Sequence, residues 1–70
     1  MAEVKAELVG SLWKIVTVVG QVVEEDDTLM ILESMKMEIP ITSPISGTLI
    51  EILVREGEVV QEGQTVAIVE

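Results

Sequence analysis

The second half of this chain repeats the first, and that repeat limits the fold more than any other feature of the sequence. A shift of 37 residues lays Gly10-Ser11-Leu12-Trp13-Lys14-Ile15 on Gly47-Thr48-Leu49-Ile50-Glu51-Ile52, and Gly20-Gln21-Val22-Val23-Glu24-Glu25 on Gly57-Glu58-Val59-Val60-Gln61-Glu62. Thr28, Ile31 and Glu33 fall on Thr65, Ile68 and Glu70. Two copies are too few for a solenoid, whose units must be stacked at least about three deep to bury a continuous core. The repeat therefore predicts two halves interlocked about a pseudo-twofold axis, forming one domain over residues 1–70. Gly20 and Gly57 are expected in equivalent tight turns with positive φ, which a residue without a Cβ adopts freely. Asp26 matches Gly63 and is one of the few side chains that tolerate the same region.

Segment 3–8 sets Glu3, Lys5 and Glu7 outward and Val4, Ala6 and Leu8 inward, the period of a strand with one wet face. Short apolar runs recur at 12–19, 28–33, 37–42, 48–55 and 65–69, divided by Gly, Pro or acidic clusters. None sustains a helical period, and 20 of the residues are Val or Ile, which favour a pleated, half-buried surface. The expected class is all-β, with two small antiparallel sheets packed face to face or a flattened barrel. Ile31 and its counterpart Ile68 are placed on the inner faces. Trp13, matching Ile50, is assigned to the core or its edge.

Composition then narrows the function. With 13 acidic residues against 4 basic ones the net charge is −9, so the chain cannot neutralise many phosphates and a nucleic-acid partner is excluded. Without Cys or His there is no disulfide framework, no ordinary zinc site and no Cys/His or Ser/His catalytic pair. Residues 1–7 lack the basic start and apolar stretch of a signal peptide, and no apolar run is long enough to span a membrane as a helix, so a cytoplasmic location is expected. The run Glu24-Glu25-Asp26-Asp27 lacks the alternating oxygen ligands, central Gly and distal Glu of a calcium loop, and reads as a solvated turn.

One segment has no partner in the repeat. Leu32-Glu33-Ser34-Met35-Lys36-Met37-Glu38-Ile39 joins the halves, with strand patterns on both sides that imply a hairpin tipped by Met35 and Lys36. Lys5 and Lys14 lie within expected strands, whereas Lys36 offers an accessible primary amine.

Glu33-Ser34-Met35-Lys36-Met37-Glu38 and the downstream Ser43-Pro44-Ile45-Ser46-Gly47 resemble the biotinyl/lipoyl attachment domain family, and the paired Gly-x-Val-Val turns extend the likeness over essentially the whole chain. The resemblance implies a flattened barrel of two four-stranded sheets and a non-catalytic carrier. It also implies covalent biotin on Lys36, with Glu33, Met35 and Met37 recognised by a biotin protein ligase. Lipoate, attached by a lipoyl ligase for acyl transfer in a 2-oxo acid dehydrogenase complex, is the alternative at the same residue. The Met-Lys-Met triplet favours biotin, because lipoyl domains usually carry Asp-Lys-Ala there. An unmodified barrel acting as an assembly module is a further alternative. The implied partners are the biotin carboxylase and carboxyltransferase components of a carboxylase, served by a stand-alone monomer. Ser34 replaces the alanine usual in biotin acceptors, and Glu7 stands where the second half has Pro44, which puts the path into the first hairpin in doubt. Only nine residues separate Gly10 from Gly20, so the thumb loop that folds over biotin in some relatives has no room here.

Overall fold

In a computed structural model that describes residues 1–70, eight strands form two four-stranded antiparallel sheets. The strands are β1 (Ala2–Lys5), β2 (Gly10–Ile15), β3 (Val22–Val23), β4 (Thr28–Ser34), β5 (Met37–Thr42), β6 (Gly47–Ile52), β7 (Val59–Val60) and β8 (Thr65–Val69). One sheet has the order β1-β8-β6-β3 and the other β5-β4-β2-β7. Each half of the chain gives two strands to each sheet. The pseudo-twofold exchanges β1 with β5, β2 with β6, β3 with β7 and β4 with β8, so the halves interlock as the repeat predicts.

The hydrogen bonds obey the same axis. Gly20 N–H donates to Leu49 C=O at 2.7 Å, and Gly57 N–H donates to Leu12 C=O at 2.7 Å. Both glycines have positive φ, 97° and 89°. Asp26 and Gly63, with φ of 74° and 82°, donate their N–H groups to Ser43 and Ala6 at 2.8 Å each. Ala6 N–H reaches Gln64 C=O at 3.0 Å and Ser43 N–H reaches Asp27 C=O at 2.9 Å, so Glu7 and Pro44 follow the same path despite their difference. In the acidic run the Asp27 carboxylate accepts the Glu24 N–H at 2.9 Å, closing a turn.

Between the sheets lies one core that includes Leu12, Leu29, Met30, Leu32, Leu49, Val60, Val66 and Val69. Three expectations about what enters it are corrected. The first strand ends at Lys5, where its register with β8 shifts; Ala6 is buried, but Leu8 is 46% exposed, because after Ala6 the chain leaves the ladder. The run 12–19 is a strand only to Ile15. Val18 C=O accepts the Gln21 N–H at 3.1 Å in a turn, which leaves Val18 and Val19 in solvent while Thr17 is buried with its hydroxyl on Leu29 C=O. Likewise the run 48–55 is strand only over Gly47–Ile52.

Bulges account for the third correction. The β2–β4 register shifts between Leu12 and Lys14, and the β6–β8 register between Leu49 and Glu51. The extra residues are Trp13 and Ile50, 44% and 40% exposed, so Trp13 lies outside the core with the Lys14 ammonium 6.0 Å from its ring centroid. A further shift between Thr28 and Met30 brings consecutive Leu29 and Met30 inside. Ile31 is thereby left half-buried on the outer face, as is Ile68, while Leu32 and Val69 point inward.

Candidate functional site

Strands β4 and β5 pair from Thr28–Thr42 to Ser34–Met37, leaving two residues, Met35 and Lys36, to make the turn. Their φ values are 54° and 64°. A two-residue connection with positive φ at both positions is a type I′ turn, whose twist matches that of the strands it joins. Asn-Gly usually fills it, because a Cβ is disfavoured in the left-handed region. Here two long side chains occupy it instead.

Lys36 is exposed at this tip, and none of the side-chain hydrogen bonds in the molecule uses its ammonium group. Met35 is 87% exposed and Met37 58%, so neither fills the core. Both are flexible apolar side chains of a kind suited to contact with another protein. Glu33 is exposed and stands opposite Glu38, the two carboxylates flanking the turn. Glu38 belongs to the motif that the sequence shows, and a turn centred between residues 35 and 36 requires its pairing with Glu33. The sequence marks Ser34 for replacing the usual alanine but does not announce its partner: the Ser34 hydroxyl donates to Val9 C=O at 2.9 Å, which brings the Leu8–Val9 loop to the neck of the hairpin.

The molecule's two shallow clefts, of about 100 and 350 Å³, lie along the seam between β1 and β5. Lys5 and Glu7 line both, and neither includes Lys36. The candidate site is therefore an exposed amine between exposed methionines, outside both clefts. Such an arrangement can be modified by another protein and can carry what is attached. The donor set fits biotin or lipoate, since either needs only a reachable amine for its amide. Between β2 and β3 the chain is closed by the Val18–Gln21 turn, leaving no inserted loop to cover the arm.

Comparison with known proteins agrees. Residues 2–69 match the model of the biotin/lipoyl family, described as "Biotin-requiring enzyme". The chain belongs to the biotinyl/lipoyl attachment family. Among this family's members, the biotinylated protein TB7.3 homolog of Mycobacterium leprae is 40% identical over 70 residues, covering 99% of each chain. The biotin/lipoyl attachment protein of Bacillus subtilis is 43% identical over 60 residues, 86% of this chain and 82% of that one. Among solved structures, the crystal structure of Kluyveromyces lactis urea carboxylase contains the same fold with a TM-score of 0.95 and 35% identity, covering 99% of this chain and 6% of that one. The family model, relatives named for attached groups and a domain of a carboxylase agree on one kind of molecule: a biotin carrier without catalysis of its own.

Proposed function

We propose that this attachment domain is biotinylated on Lys36 and carries carboxyl groups between the biotin carboxylase and carboxyltransferase sites of its partners. The observation that carries the reading is the presentation of Lys36 on a two-residue turn between exposed Met35 and Met37. Attachment requires the Lys36 Nζ lone pair to attack the acyl carbon of an activated biotinyl-adenylate. A C–N bond forms, the bond to the adenylate oxygen breaks and the amine gives up a proton. In this reading the ligase supplies the base along with the adenylate. Glu33, Met35 and Met37 are the contacts that the ligase reads. Once bound, biotin supplies a ring nitrogen that accepts and releases a carboxyl group; the chain's part is to hold the tether on a rigid hairpin and leave its far end free.

Lipoate is the second reading, supported by the Bacillus subtilis relative named for both groups. A cytoplasmic location and a monomeric state belong to the same proposal, and the high net charge supports the second.

Intact mass of the protein from cells supplied with biotin and lipoate, together with the variant Lys36→Arg, tests the proposal. The wild type is expected to gain one biotinyl group, and Lys36→Arg none, because the guanidinium keeps the charge but cannot be acylated by the ligase. The melting temperature of the variant should be unchanged. Biotin on Lys36→Arg would move the acceptor to Lys5 or Lys14; a lipoyl adduct on the wild type would select the second reading.

A further inference from the structure

The pseudo-twofold supplies a comparison within the chain. The turn at Val18–Gln21, between β2 and β3, matches the turn at Arg55–Glu58, between β6 and β7, bond for bond. Val18 C=O accepts the Gln21 N–H and Arg55 C=O accepts the Glu58 N–H, both at 3.1 Å. Gln21 Oε1 accepts the Val18 N–H at 3.2 Å, and Glu58 Oε1 accepts the Arg55 N–H at 3.1 Å. Charged residues therefore build this turn as well as valines do. The second turn even gains by them: the Glu56 carboxylate accepts the Ile15 N–H at 2.9 Å, a bond that Val19 at the matching place cannot offer. Yet the first turn exposes Val18 to 68% and Val19 to 57%, with Val16 before them and Val22, 75% exposed, after. In the second half Arg55 and Glu56 break the corresponding surface. Neither the turn nor the core requires Val18 and Val19.

We propose that Val16, Val18, Val19 and Val22 dock the barrel on a protein partner in carboxyl transfer whose contact surface is apolar at its centre and ringed by Lys and Arg. This rests on the carrier reading of Lys36. Two observations select that occupant. Within two residues of Val22 the chain enters Glu24-Glu25-Asp26-Asp27, and the whole molecule carries −9, so a basic rim is attracted and a second copy of this chain is repelled. The place is also remote from the hairpin: β2 runs from Ser11 opposite Glu33 to Ile15 opposite Met30, and the turn lies past that far end. A ligase reading Met35 and Met37 holds the hairpin end. An enzyme gripping the far turn leaves an arm on Lys36 free to move.

The test gives the full chain Val18→Arg and Val19→Glu together, the side chains of the twin turn, both in biotinylated protein and in a Lys36→Arg background. The probes are the purified biotin carboxylase and carboxyltransferase components of the cell that makes the chain. The paired substitution is expected to weaken binding to one of them about tenfold, as loss of a central apolar contact does. Melting temperature and kcat/KM for biotin incorporation should be unchanged, and wild-type binding should weaken as salt rises. Affinity that is absent or unchanged for both components, or insensitive to salt, overturns the inference. So does a parallel fall in the ligase rate, which would assign the patch to the ligase, or a wild-type dimer that the substitution dissociates, which would assign it to a second copy. Should the paired variant melt lower, Val18→Arg alone repeats the comparison. A wild type that takes no biotin sinks the carrier reading instead, and the Lys36→Arg background then reads the docking by itself.

Discussion

At Met35 the preferences of the backbone and the needs of a modifying enzyme pull apart. The position wants glycine, since φ is 54°, yet it carries a long side chain that is 87% exposed and contributes nothing to the core. A left-handed residue with a Cβ costs roughly 1–2 kcal/mol relative to the ordinary helical region, a cost that glycine avoids. Met35→Gly should therefore stabilise the fold by about 1 kcal/mol, read as a higher denaturant midpoint with an unchanged slope. The same variant should be biotinylated more slowly, because the contact offered to the ligase is gone. A variant both less stable and equally well modified would mean that Met35 is kept for packing. Lys36, at φ 64°, shares the strain, and its exposed amine stands on the same turn.

Among the elements, β4 shows how a single inserted residue decides which face is inside. Strict alternation from Ile31 would bury that side chain, but the shift between Thr28 and Met30 reverses the parity, and Leu32 is 1% exposed while Ile31 is only partly covered. Leu32→Ala should cost about 2–5 kcal/mol in denaturant titration, and Ile31→Ala clearly less. Equal losses would contradict the observed faces. Bulges are set by contacts between strands, which explains why they were hidden in the sequence, whereas the repeat was visible. Gly20, Gly57 and Asp26 were read correctly because positive φ is a local demand. The exposure of Leu8, Val18 and Val19 was missed for the opposite reason: apolar character is local, but burial requires a partner strand, and these residues lie beyond the ladder. The hairpin that carries Lys36 was legible through the break in the repeat. The Ser34–Val9 bond spans 25 residues and depends on Gly10 letting two strands close up, which no short motif announces.

Over the whole molecule, the twofold that builds the core leaves two poles. Strand β4 ends at the hairpin, and the Val9 carbonyl lies beside it. The corresponding place at the other pole is where Thr48 and Glu70 exchange backbone hydrogen bonds of 2.8 and 2.9 Å and where Ala2 pairs with Val69. With no loop inserted between β2 and β3, an arm on Lys36 should touch little of the barrel. Amide NMR spectra of unmodified and biotinylated protein should differ only around residues 34–38; shifts across 11–19 would reveal a docking surface for the arm. Residues 1 and 70 thus meet at the other pole of a body whose longest extent is 30 Å, away from Lys36. The domain has a handle and a hook at opposite ends. Whatever is grafted onto the handle, be it a short peptide or an enzyme many times larger, the hook keeps its freedom, and this makes the unit portable between small proteins and giant ones without redesign.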